Sequence, residues 1–91
     1  MSIKIKIPES LQQKTGGESS IDVVGDTLGE CLETLVRRYP GLKGEIVDAQ
    51  GILLLRWVIF VNGKIANTSE ELLHPVKGGD LIVLIPMIAG G

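Results

Sequence analysis

Aromatic side chains are nearly absent: one Trp, one Tyr and one Phe make up 3% of the chain. That excludes the stacking platform on which single-strand nucleic-acid binders lay bases. A basic surplus is also missing, because 9 Lys and Arg stand against 11 Asp and Glu and leave a formal net charge of -2. A phosphate-binding face needs cationic excess, so no nucleic acid is expected as a partner. Cys31 is the one cysteine. It can form no internal disulfide and no cysteine-rich metal site, and no metal is expected. His74 is the one histidine, directly before Pro75. No serine, cysteine or carboxylate lies at a recognisable triad spacing from it, and its plain reading is a surface loop residue. Long apolar runs are missing too. The stretches at 52–61 and 81–88 fall short of the roughly 20 residues a membrane span needs. The alternating start, Ile3-Lys4-Ile5-Lys6-Ile7, has no apolar run after its charges and so is not a signal peptide. The expectation is a cytoplasmic protein with no membrane partner.

What is present is enough for one domain, residues 1–91, with 44% apolar residues. A domain this small buries only about 60% of its unfolded surface, which leaves little for a deep substrate cavity. Residues 3–7 alternate with period two and predict a half-buried strand ended by Pro8. Residues 8–19 are polar, contain Gly16-Gly17 and predict a loop. Residues 20–24 predict a second strand in a hairpin with the first. Thr27 followed by Glu30 has capping-box spacing. Leu28, Cys31, Leu32, Leu35, Val36 and Tyr39 form one apolar stripe at helical spacing, so a main helix is expected at about 27–39. Its acids come early and its arginines late, and Pro40-Gly41 stops it. Residues 41–51 read as a connecting segment and residues 54–61 as a strand. Asn62-Gly63 is a hairpin turn signal, with 64–66 as the return strand. Residues 67–77 read as a polar connection with one helical turn near 70–74. Gly78-Gly79-Asp80 is a turn, and 81–85 is a last strand broken by Pro86. That strand is uniformly apolar, which suits the sheet centre and parallel pairing with the first. The order predicts an α+β fold of the β-grasp (ubiquitin-like) kind, a mixed five-stranded sheet with one main helix. Residues 87–91 are expected to form a flexible tail.

Catalytic constellations are scarce. Cys31 sits on the helix stripe, where a buried structural thiol is the ordinary role. Gly16-Gly17 lacks the lysine and spacing of a phosphate loop. Gly90-Gly91 differs from the other glycine pairs because nothing follows it in the sequence. The terminal pair is either a frayed end or a functional tip. A tip without side chains can thread a narrow channel and bring backbone close to a partner's reactive atoms.

The ending Ile85-Pro86-Met87-Ile88-Ala89-Gly90-Gly91, taken with the strand order, resembles the ubiquitin-like sulfur carriers of the MoaD/ThiS family. Further points of likeness are Ile7-Pro8 leading to Leu11, Thr15-Gly16-Gly17, Gly25-Asp26-Thr27-Leu28-Gly29, Val61-Asn62-Gly63 and Gly78-Gly79-Asp80. The likeness covers essentially the whole chain. The long first loop with Thr15-Gly16-Gly17 is most similar to the carriers of cysteine biosynthesis (CysO type). Met87 departs from relatives that carry a second proline or a small residue there.

The resemblance implies that the chain is not itself an enzyme and binds no cofactor. A ubiquitin-activating-like adenylyltransferase would use ATP to adenylate the Gly91 carboxylate, with Gly90 completing the thin tip. A sulfur donor would then leave a thiocarboxylate, and a sulfur-accepting client synthase would take the sulfide. Cysteine biosynthesis is the favoured pathway, with molybdopterin and thiamine synthesis behind it. The resemblance also implies that Trp57, Ile59, Val61, Ile82 and Leu84 point inward. Val58, Phe60, Val83 and Ile85 would then face outward and dock partners together with Pro86, Met87, Ile88 and Ala89. A register slip of one residue would reverse those faces, and a sheet covered on both sides would make all of them core. Two rival functions begin from the same tail: a modifier conjugated through Gly91, and an interaction module with an unreactive end.

Overall fold

Ile3 and Ile5 alternate with Lys4 and Lys6, and the chain there is the expected half-buried strand. In the computed structural model, which describes residues 2–48, 50, 57–66 and 72–86, β1 (Ile3–Lys6) buries both isoleucines and exposes both lysines. β2 (Ser20–Val23) pairs with it antiparallel, Ile5 opposite Ile21. Helix α1 (Leu28–Arg38) follows. β3 (Trp57–Val61), β4 (Lys64–Ile65) and β5 (Leu81–Pro86) complete a five-stranded sheet in the order β2-β1-β5-β3-β4. Only β1 and β5 run parallel; the other neighbours are antiparallel. This is the mixed sheet expected from the sequence, with the last strand at its centre. Among the described residues no helix is long and apolar enough to cross a membrane.

α1 begins where the capping signal places it. The Glu30 amide donates to Thr27 Oγ1 at 3.1 Å, and Glu30 Oε1 accepts from the Asp26 amide at 2.9 Å. The second bond lands one residue before the usual capping-box position. A second tie closes the helix start: the Leu28 amide donates to the His74 carbonyl at 3.0 Å, and the Val76 amide to the Asp26 carbonyl at 3.0 Å. Leu28, Cys31, Leu32 and Leu35 are buried, with Val36 and Tyr39 packed against the same core. Glu33 and Arg37 pair at 2.8 Å on the exposed side, where a solvated ion pair contributes well under about 1 kcal/mol.

Three expectations need correction. Residues 8–19 are not a plain loop, because Glu9–Thr15 is a 3₁₀ helix. Leu11 and Thr15 are its buried residues, Pro8 precedes it and Gly16 ends it in the left-handed region at φ 68°. The Thr15 hydroxyl lies 3.1 Å from the Gln12 carbonyl and 3.0 Å from that of Glu18 and can donate to either. The segment after α1 is also more than a connection. A 3₁₀ turn at Pro40–Leu42 and a bridge between Lys43 and Val47 bury Leu42, Ile46 and Val47 in the core.

Pro86, expected to break the last strand, is its final residue and pairs with Trp57. The Asn62 amide donates to the Leu81 carbonyl, so hydrogen-bonded pairs fall at Phe60/Val83 and Val58/Ile85 and not at Trp57/Pro86. The missing N–H of Pro86 therefore costs β3 nothing. On the other side β1 is in register only as far as Lys6 and Val83. The turn near 72–73 is 3₁₀. Residues 54–56 of the expected strand, 70–71 of the expected turn and the tail 87–91 lie outside the described residues.

Candidate functional site

β3 and β5 each alternate faces, and their register brings the outward residues together. Trp57, Ile59, Val61, Ile82 and Leu84 are buried. Trp57 is held inward by its indole N–H, which donates to the Glu45 carbonyl. Val58, Phe60 and Val83 are half-buried on the opposite face, and Ile85 and Pro86 are exposed. The inward and outward assignment expected from the resemblance is the one the structure has. Phe60 lies opposite Val83 and Val58 opposite Ile85, forming one apolar patch on the sheet face away from α1.

The sequence reading missed Ile65, which is 62% exposed and sits opposite Phe60. Its signal was available. A two-residue turn at Asn62-Gly63 forces Val61 opposite Lys64 and Phe60 opposite Ile65. Both turn residues have the positive φ this turn needs, 52° at Asn62 and 85° at Gly63.

Asn62 also fastens the patch at its far end. Its side-chain N–H donates to Asp80 Oδ1 and its side-chain oxygen accepts from the Leu81 amide, each at 2.9 Å. The other Asp80 oxygen accepts from the Lys77 amide at 2.9 Å. These bonds, that from Asn62 first and that from Lys77 next, hold the Asp80 carboxyl below its ordinary pKa. The start of β5 is thereby clamped to the β3–β4 turn, while its other end leads toward residue 87.

The titratable candidates lie elsewhere. Cys31 is fully buried, and its thiol is pushed up to about 11 by burial, then by the charges of Glu30, Asp26 and Asp80. It is not a thiolate near neutral pH. His74 is exposed, and its backbone carbonyl, as noted, holds the start of α1. Among the described residues no group of three or more His, Cys, Asp or Glu could hold a metal ion. The expected reactive tip, Gly90 and Gly91, and its arm, Met87, Ile88 and Ala89, lie outside the described residues.

A mixed five-stranded sheet gripping one main helix, with an apolar outer face beside the end of its central strand, defines a ubiquitin-like β-grasp protein. Residues 5–91 match the ThiS family, and the chain belongs to it, a family of sulfur carrier proteins. Sulfur carrier protein CysO of Mycobacterium tuberculosis is 33% identical over 93 residues, covering 100% of both chains. A chain of the crystal structure of the Amycolatopsis orientalis BexX/CysO complex superposes with TM-score 0.85 at 31% identity. That match covers 98% of this chain and 99% of that one. SAMP1 of Haloferax volcanii, small archaeal modifier protein 1, has TM-score 0.83 at 26% identity, covering 100% of both chains.

Proposed function

We propose that this chain is a protein co-substrate that carries sulfur on the carboxyl group of Gly91. The observation that carries the reading is that the family match runs through residue 91 and so includes Gly90-Gly91. An ATP-dependent adenylyltransferase related to the ubiquitin-activating enzyme joins the Gly91 carboxylate to AMP and releases pyrophosphate. Hydrosulfide, or a sulfur donor equivalent to it, attacks the acyl carbon; the bond to AMP breaks, and a thiocarboxylate remains. A client synthase then accepts the sulfur. The chain's own contribution is presentation. β5 is clamped by Asn62 and Asp80 at its start, so the segment that carries Gly91 follows directly from an anchored central strand. Val58, Phe60, Val83 and Ile85, with Ile65, dock the partner, and 87–91 reach its active site.

Cysteine biosynthesis is the favoured pathway, supported by the full-length likeness to CysO, ahead of molybdopterin and thiamine synthesis. That the Amycolatopsis CysO is in complex with BexX supports a partner protein for this chain as well. The reading is tested by incubating the chain with the adenylyltransferase of its own genome, ATP and sulfide. Intact mass should show one oxygen of the full-length chain replaced by sulfur. No change in mass, with an enzyme active on another carrier, sinks the reading.

A second reading has a specific observation behind it, the likeness to small archaeal modifier protein 1. Conjugation through Gly91 to lysines starts from the same adenylate. It would appear as larger species on a denaturing gel of native-host extract, lost when Gly91 is deleted.

A further inference from the structure

We propose that the docking face extends from its apolar centre onto β1, where Lys4 and Lys6 form a cationic flank that selects a partner with carboxylates along one edge of an apolar contact. This rests on the reading of the sheet face as the surface that meets the activating adenylyltransferase. The register sets out the geometry. Lys6 lies beside Val83, and Val83 beside Phe60 and then Ile65, so one row across four strands runs from a cation to exposed apolar residues. Lys4 lies beside Leu81 in the parallel row. Neighbouring strands are about 4.8 Å apart, so any surface that covers Val83 comes within reach of the Lys6 ammonium.

The ordinary role of an exposed strand lysine is to keep a sheet edge from pairing with another chain. That role does not apply here, because β1 lies between β2 and β5 and has no free edge. Nor do the lysines follow from general basicity, since the chain carries a net charge of -2. Among the described residues neither lysine is in an ion pair, whereas Arg37 pairs with Glu33 on α1. Asp22 is the outward acid on the neighbouring strand and faces Lys4, while Lys6 faces Ser20. The cationic end of the row is therefore left for a partner. Charges at the rim of an interface act mainly on association rate and on choice of partner, and salt screens them.

The test measures association of the full chain with that adenylyltransferase by surface plasmon resonance across a salt series. Lys4→Glu with Lys6→Glu is compared with Lys14→Glu with Lys43→Glu, which makes the same change of net charge away from the sheet's outer face. The sheet pair should associate about tenfold more slowly at low salt, with the difference closing as salt rises, and the control pair should stay within about twofold of wild type. Lys4→Gln with Lys6→Gln, a milder change, keeps the test open if the glutamate pair does not fold; it should slow association in the same direction. Carbodiimide coupling of the complex should join Lys4 or Lys6 to an Asp or Glu of the enzyme. Equal slowing by the sheet and control pairs, or no slowing by a folded sheet pair, overturns the proposal. If the wild-type chain binds and is converted while the sheet pair associates unchanged, only the cationic flank is lost. If the wild-type chain is neither bound nor converted, the functional reading falls and the flank with it.

Discussion

The thiol of Cys31 faces the core from α1, with no accessible surface and a pKa near 11. In a sulfur carrier the lone cysteine is the obvious rival to the terminal carboxylate as the sulfur-bearing group, and burial argues against it. Cys31→Ala should lower stability by about 1 kcal/mol, as expected for a small core truncation, and leave sulfur loading unchanged. Thermal melts and intact mass after loading check both halves, and a folded variant that no longer loads would show the thiol to be chemical. Wild-type protein should also resist alkylation by iodoacetamide at pH 7.5 until urea unfolds it. Asp80 makes a different kind of prediction. Its folded pKa lies below the unfolded value because Asn62 and the Lys77 amide favour the carboxylate. A depressed carboxyl contributes stability that is complete above the unfolded pKa, about 3.9, and is lost as pH falls through the folded pKa. The urea midpoint of wild type should therefore exceed that of Asp80→Asn at pH 7, and the gap should narrow below about pH 4. A gap of constant size from pH 7 to pH 2 would mean that the charge of Asp80 does not stabilise the turn.

Helix α1 is held at its start by the Thr27 hydroxyl, so Thr27→Ala should cost about 1 kcal/mol. That corresponds to a melting point about 4–8 °C lower in a domain of this size; an unchanged melting point would assign the helix start to the His74 and Asp26 backbone bonds alone. Two elements, α1 and β1, were legible in the sequence because each carries a period that repeats, whereas β5 was legible as an unbroken apolar run bounded by a turn and a proline. The stripe from Leu28 to Tyr39 and the alternation of Ile3 to Lys6 each repeat their burial signal over several residues, so both face and element type could be read. Asn62-Gly63 added register, because its two residues admit few turn geometries. The 3₁₀ helix at Glu9–Thr15 offered no such repeat, since it buries only Leu11 and Thr15 and its bonds are local. Its signal was weaker: Pro8 before and Gly16 after. Leu42, Ile46 and Val47 were hidden for a related reason. Short turns around Gly41 and Gly44 bring them to the core without any run of apolar neighbours. Pro86 was misread because whether a proline ends a strand depends on which side its missing N–H faces, and that follows from pairing with Trp57. Of the candidate site, the outward face of β3 and β5 came from the family resemblance, because strands apolar on nearly both faces carry no alternation to read it from. Ile65 was overlooked, although the Asn62-Gly63 turn fixes it.

At the scale of the whole molecule, the proposed function puts docking and chemistry in different places, and that separation can be tested. In that proposal the sheet face recognises and Gly91 reacts. Phe60 lies at the middle of the patch, between Val83 and Ile65, and its half-exposed ring is not part of the buried core. Phe60→Asp should stay folded, because the new carboxylate reaches water in the free protein. On docking, that charge must be desolvated against an apolar surface with nothing to pair it. The variant should therefore need a much higher concentration for half-maximal adenylation, with the rate at saturation little changed. Deletion of Gly91 should do the reverse. The docking face is intact, so binding to the adenylyltransferase should be close to wild type. The remaining carboxylate, on Gly90, sits one residue short, up to about 3.5 Å from the place where Gly91 would present it. A misplacement of about 1 Å can already cost about 10²-fold when reacting atoms must align. Conversion should thus stay near background at any concentration, and raising the amount of truncated chain should not rescue it. It should instead inhibit the full-length chain by occupying the same surface. Pyrophosphate release measured over a concentration series for wild type, Phe60→Asp and the truncated chain separates the two roles. If the truncated chain is converted at the wild-type maximum rate, position at the terminus does not matter. If Phe60→Asp lowers the maximum rate and leaves the half-saturating concentration alone, the outer face of the sheet is not where the partner binds.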